Sequence, residues 1–263
     1  MKIIVCIKQV PDTTDVKINP ETNTLIREGV ASIINPFDMY AIEEAVRLKE
    51  RLGGEATVIT MGPPQAQEAL REALSLGVDS AVHLSDRAFA GSDTWATSLV
   101  LAKAIEKIGN FDLIICGKQA SDGDTAQVGP GIAAHLDLPQ ATYVRKIDSV
   151  HLDTDPKIMV VERLLEEGYE LLEVKLPALI TVVKEINEPR LPSLRGKMNA
   201  KKAVIPVWNN AELKIADNQV GLTGSPTQVI KIFNPPQKTG GKIFSGEPED
   251  MVNKLVLEIK DVL

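Results

Sequence analysis

Across 263 residues the chain has only two cysteines, three histidines and 4% aromatic residues, and it lacks any excess of positive charge. Cys6 and Cys116 do not form a Cys-x-x-Cys motif, and a disulfide framework needs more partners than one. Both are expected to be small buried apolar residues in a reducing compartment, the cytoplasm. His83, His135 and His151 are too scattered for a metal-ligand motif. A net charge of −7 with so few aromatics excludes general nucleic-acid binding, which needs a basic surface and stacking platforms. No apolar run approaches the length that spans a bilayer, so no membrane insertion is expected. The apolar start Ile3-Ile4-Val5-Cys6-Ile7 ends at Lys8 and reads as a first strand, not a leader. Also missing are a Walker loop, a Gly-x-Gly-x-x-Gly fingerprint and a Gly-x-Ser-x-Gly elbow.

What is present is an alternation of strands and helices over the first 145 residues. Strands are expected at 2–7, 55–60, 80–84 and 111–116, each rich in Val, Ile or Leu. Between them Ala66, Ala69, Leu70, Ala73 and Leu74 share one helical face, as do Leu99, Ala102 and Ile105. Asn35-Pro36-Phe37-Asp38 reads as a helix start, with Asn35 as N-cap, Pro36 in the first turn and Asp38 complementing the dipole. The fold class implied is α/β, a mostly parallel sheet with helices on both faces. Ligands of such sheets bind beyond the carboxyl ends of the strands. Loops leave those ends at Lys8–Asp12, Met61–Pro64 and 117–125, and they converge on one crevice if their strands are neighbours.

The third loop is the most informative. Strand 111–116 runs into Gly117-Lys118-Gln119-Ala120-Ser121-Asp122-Gly123-Asp124-Thr125-Ala126-Gln127-Val128, with a helix expected to begin near Thr125. Gly117 and Gly123 allow positive φ and close backbone approach, while Asp122 or Asp124 can cap the helix. A strand end followed by exposed amides and a helix N-terminus is a seat for phosphate. No catalytic constellation accompanies it. Two classes stay open on the residues alone: an ATP-dependent enzyme, or a protein holding a redox cofactor that carries its own chemistry.

Beyond residue 145 a β-hairpin is expected, 157–165 with 170–176, then a strand at 178–183. Residues 187–202 combine prolines with Arg190, Arg195, Lys197, Lys201 and Lys202, interleaved with Leu191, Leu194 and Met198. Residues 203–246 read as irregular. A last helix from Pro248 has an apolar stripe of Val252, Leu255, Val256, Ile259 and Val262. The domain reading is 1–202 for the nucleotide-binding body with its docking loop, and 203–263 for an extended arm ending in a helix.

Several blocks in order resemble the β subunit of electron-transfer flavoproteins: Val5 to Asp12, Asn35 to Asp38 followed by Glu43 to Lys49, Gly117 to Ala120, Asn187 to Arg190 and Pro235 to Thr239. The resemblance implies a Rossmann-like fold and a heterodimer with an FAD-carrying α subunit. It implies a β-subunit nucleotide held by Cys6, Asn35, Pro36, Phe37, Asp38, Met61 and the loop Gly117 to Val128. It also implies a docking segment at 188–202 with Leu194 as apolar anchor beside Arg195 and Lys197, for an acyl-CoA dehydrogenase or another flavin-dependent dehydrogenase. In one branch of the family the β site holds structural AMP. In the other it holds a second FAD that accepts a hydride from NADH and bifurcates the electrons between the α flavin and ferredoxin or flavodoxin. Small residues at Gly123, Thr125 and Ala126 resemble the bifurcating branch. The terminal helix is expected to pack on the α subunit.

Overall fold

The computed structural model describes residues 1–12, 32–231 and 240–260. Two compact units divide at Ile230/Lys231. In the first unit, alternating burial builds the sheet. In β1 (Lys2–Cys6), Ile3 and Val5 face one layer while Ile4 and Cys6 face the other, the period of two that a strand imposes. A strand buried on both faces must be covered twice. Helices α1 (Pro36–Leu52) and α2 (Gln67–Ser75) cover the Val5 side, and α3 (Thr94–Ile108) and α4 (Val128–His135) cover the Cys6 side.

Between β1 and α1 lie the short antiparallel partners β2 (Gln9–Pro11) and β3 (Ser32–Ile34). The main strands continue with β4 (Glu55–Met61), β5 (Ser80–Leu84), β6 (Leu113–Gly117), β7 (Gln140–His151), β8 (Ile158–Leu165), β9 (Gly168–Lys175), β10 (Ala178–Val182) and β11 (Val207–Trp208). They form one nine-stranded sheet in the order β11-β5-β4-β1-β6-β10-β7-β8-β9, parallel except for the antiparallel β7-β8-β9 meander. The chain leaves β1 towards β4 and β5, then returns through α3 to β6 on the other side of β1. The order therefore reverses between β1 and β6, and a crevice opens at their carboxyl ends.

The expected strands agree with the sheet to within two residues at each end, and the hairpin turns at Glu166-Glu167. Besides the small β2–β3 pair, which takes up part of the expected Lys8–Asp12 loop, two strands of the main sheet go beyond the expectation. The twelve-residue β7 pairs with both β10 and β8, and β11 adds to β5 within the stretch read as irregular. After β11, α6 (Asn210–Leu213) is closed by a capping box between Asn209 and Glu212, and Leu213, Ile215 and Val220 are buried. Before it, α5 (Leu194–Lys202) starts at Ser193, whose Oγ accepts from the Gly196 amide at 2.9 Å. In the second unit, α7 (Pro248–Ile259) has Pro248, Glu249 and Asp250 in its first turn and buries none of its side chains. Val262 of the expected stripe lies outside the described residues.

Candidate functional site

The strands carrying Cys6, Met61 and Gly117 are neighbours, β4-β1-β6, so their carboxyl ends form one floor. Cys6 and Cys116 are in register across β1 and β6, and both are free and buried. The adjacent Cys6 thiol, together with burial, pushes the Cys116 thiol well above its usual range, which keeps it protonated and inert as a nucleophile. The first turn of α1 forms one wall and the loop 118–127 the other.

Asn35 binds that loop. It precedes α1 as expected, but its side chain makes no cap; Pro36, lacking an N–H, already relieves the first turn. The buried Asn35 amide donates instead to Gln119 O at 2.8 Å, and its Oδ1 accepts from the Ser121 amide at 3.0 Å. Asp38 likewise does more than answer a dipole. The residue is 5% exposed, and its carboxyl accepts from the Lys8 amide at 2.7 Å, tying α1 to the end of β1. Burial raises its pKa to about 7, against the lowering effect of hydrogen bonds from the Lys8 amide, Asn35 and the Gly117 amide.

The glycines divide sharply. Neither Gly117 nor Gly123 has positive φ; the left-handed residues of this loop are Asp124 at 51° and Ala126 at 54°. Gly117 is required by proximity, since a Cβ there would lie 2.3 Å from Asp38 Oδ1 and 2.7 Å from the Phe37 carbonyl carbon. A Cβ at Gly123 would meet no atom within 4 Å, so that glycine opens space which its own fold does not fill.

Nor do the aspartates cap a helix. The helix begins at Val128, three residues later than expected, and its N-cap, Gln127, makes no side-chain cap bond. Asp122 is pulled across the crevice by Lys8 Nζ at 2.6 Å, while Asp124 accepts from the Gln119 side chain. The amides of Gly123 and Asp124 turn back on Ala120 O at 3.4 and 2.9 Å. Those of Thr125 and Ala126 have no acceptor among the described residues. The result is two amides without a protein acceptor, an uncapped helix start and one neutralised carboxylate, features that favour an anion. Lys8 was not among the expected site residues. Its signal was a lone cation at one strand end facing an acidic loop at the next. Lys118 stays at the rim, its ammonium 4.9 Å from the Tyr143 ring and 5.9 Å from that of Phe37.

The residues expected to dock a partner lie elsewhere. Gly196 packs α5 on the carboxyl end of α2, where a Cβ would come within 2.2 Å of Ser75 O. Leu194, Arg195 and Lys197 therefore sit by the amino ends of the parallel strands, at the opposite end of the sheet from the crevice. Leu194 is 79% exposed. Arg190 is not a free surface cation, because Glu43 and Glu50 bind it. Among the histidines, His83 is buried and holds Gly62 O at 3.0 Å, and burial lowers its pKa. Among the described residues no group of His, Cys, Asp or Glu is placed to hold a metal, and no helix is long and apolar enough to cross a membrane.

Fold and crevice together define a doubly wound α/β protein with an open crevice at its topological switch point. The electron transfer flavoprotein domain matches residues 22–213. The chain is 53% identical to the electron transfer flavoprotein subunit beta of Thermoanaerobacterium thermosaccharolyticum, over 97% of this chain and 96% of that one. It is 49% identical to the caffeyl-CoA reductase-Etf complex subunit CarD of Acetobacterium woodii, over 99% and 98%. It is also 48% identical to protein FixA of Sinorhizobium fredii, over 98% and 93%. The chain belongs to the electron-transfer flavoprotein family, as a β subunit of the FixA type. That membership implies an α-subunit partner and selects electron transfer over nucleotide hydrolysis.

Proposed function

We propose that this β subunit serves a bifurcating electron-transfer flavoprotein and holds FAD in the β1/β6 crevice. The observation that carries the reading is the open loop 121–127 running into an uncapped α4. The space above Gly123 and the Thr125 and Ala126 amides, which have no acceptor among the described residues, suit a diphosphate with an extension beyond it. The Lys8–Asp122 pair removes one negative charge from the approach of an anionic ligand. The residues present therefore fit the group. Cys6, Asn35 to Asp38, Met61 and Gly117 to Val128 would hold it, with the Thr125 hydroxyl assisting. Bound FAD would supply the redox chemistry, acceptance of a hydride from NADH and release of electrons to two acceptors. The chain's own part is to orient the group and set its field.

The remaining partners follow from this reading. Electrons leave through the α-subunit FAD to an acyl-CoA dehydrogenase or related flavoenzyme docked at Leu194, and separately to ferredoxin or flavodoxin. The arm ending in α7 packs on the α subunit, and the complex works in a reducing cytoplasm. The membership of a CarD relative in a named reductase-Etf complex is consistent with such partnering. The test is the flavin-to-protein ratio of the purified heterodimer, with identification of any released adenine nucleotide. Two flavins and bleaching by NADH are expected. One flavin plus AMP, with no response to NADH, would overturn the reading.

A further inference from the structure

The segment between β10 and α5 has little core of its own, yet it is held at several points on a single helix. Asn187 Nδ2 donates to Tyr40 O at 3.1 Å and to Glu44 Oε2 at 3.0 Å. Arg47 donates to Glu188 O at 3.0 Å. Arg190 reaches two carboxylates one above the other on α1. Its Nε and its backbone amide meet Glu43 at 2.8 and 3.1 Å, and its outer nitrogens meet Glu50 at 2.7 and 3.0 Å. Glu43 and Glu50 are seven residues apart, two helical turns, so a single planar guanidinium can reach both.

The two carboxylates are not equivalent. The Glu43 side chain is only 4% exposed, while that of Glu50 is 55% exposed. Unpaired, a carboxylate buried like Glu43 would strongly disfavour its own position; paired with Arg190 and Arg47 it fixes both. Three and four residues beyond Arg190 stand Ser193, which starts α5, and Leu194. Leu191, directly beyond it, is 89% exposed. Two large apolar side chains thus project from a segment whose backbone is bolted down immediately before them. A docking leucine is effective only if its backbone is ordered beforehand, since ordering it at the encounter weakens binding.

We propose that the Arg190–Glu43 pair is a positioning device that presents Leu191 and Leu194 to the partner dehydrogenase, and so sets docking affinity without touching cofactor or partner. The inference rests on the reading of Leu194 as the docking anchor. The same helix begins with Pro36 to Asp38 at the crevice, and Glu50 lies about 18 Å further along it at 1.5 Å per residue. Helix α1 is therefore the strut that carries the docking segment relative to the crevice.

The test uses the full heterodimer with its α subunit, bearing Glu43→Gln, Arg190→Lys or Leu194→Ala. Amide exchange at 188–194 and tryptic cleavage after Arg195 and Lys197 report the segment, and steady-state transfer from an acyl-CoA dehydrogenase reports docking. In Glu43→Gln, exchange is expected to quicken roughly tenfold at 188–194, while KM for the dehydrogenase rises by a similar factor and kcat stays within about twofold. Arg190→Lys, which keeps the charge but loses the fork, should recover part of both effects. Unchanged exchange in Glu43→Gln overturns the proposal even if Leu194 docks. Faster exchange along all of α1 with loss of bound nucleotide also overturns it, because Glu43 would then be a support of the helix alone. A flat response to Leu194→Ala sinks the docking reading separately.

Discussion

Two glycines in one loop should fail in opposite ways. At Gly117 a single added methyl carbon would stand 2.3 Å from Asp38 Oδ1, 2.7 Å from the Phe37 carbonyl carbon and 2.8 Å from the Asp38 amide. Two of those atoms are backbone at the start of α1, so α1 must move away from β6. Overpacking of this kind costs about 1–3 kcal/mol. In a chain of this size that is a Tm lower by roughly 2–6 °C. At Gly123 no atom lies within 4 Å and φ is not positive, so Gly123→Leu should leave stability within about 0.5 kcal/mol. Its side chain instead fills the space assigned to the pyrophosphate. Losing one hydrogen bond to a charged group, about 1.5–3 kcal/mol, weakens binding roughly ten- to hundredfold. Calorimetry of the nucleotide-free protein and nucleotide content of the purified heterodimer separate the two effects. Gly117→Ala should lose stability, and Gly123→Leu should lose nucleotide while the heterodimer stays intact. Full nucleotide content in Gly123→Leu would refute the cradle assignment, and an unshifted Tm in Gly117→Ala would refute the packing argument.

Asp38 makes stability depend on pH. Its folded pKa of about 7 exceeds the unfolded value of 3.8, so the folded state binds the extra proton between them. The contribution is complete below about pH 4 and is lost as pH rises towards 7; Asp38→Asn should flatten that slope in urea titrations, and an unchanged slope counts against the buried acid. Leu194→Ala should leave Tm unchanged, as the side chain is exposed, yet lower kcat/KM with the partner dehydrogenase about thirtyfold if it is a hot spot worth 2 kcal/mol. An aspartate at Val252 or Leu255, both exposed on α7, should weaken association with the α subunit in sedimentation without altering the first unit's melting; unaltered association would count against the arm as a clasp.

The sequence by itself determined the parallel α/β body, the three strand ends and the loop that matters, because those are written in local periodicity. Valine and isoleucine runs and helical spacing of Ala and Leu are properties of neighbours in the chain, and they survive without tertiary information. The ordered blocks around Asn35, Gly117 and Asn187 carried the family. Where the first α1 turn, the 117–128 loop and the 187–194 segment were concerned, the residue types were legible but their partners were not. Asn35 has the signature of a cap and is used as a bridge to Gln119 and Ser121, some 85 residues on. Asp122 and Asp124 also have a capping signature, yet one pairs with Lys8 and the other with Gln119. Arg190 reads as one charge of a basic surface and is instead clamped to Glu43, 147 positions away. For Asn35 and the two aspartates a plausible capping partner gave way to another side chain or carbonyl, and Arg190 found carboxylates on a distant helix. The choice follows from desolvation: a buried amide, carboxylate or guanidinium takes the partner that the packed layers bring to it, and only the tertiary structure decides which that is.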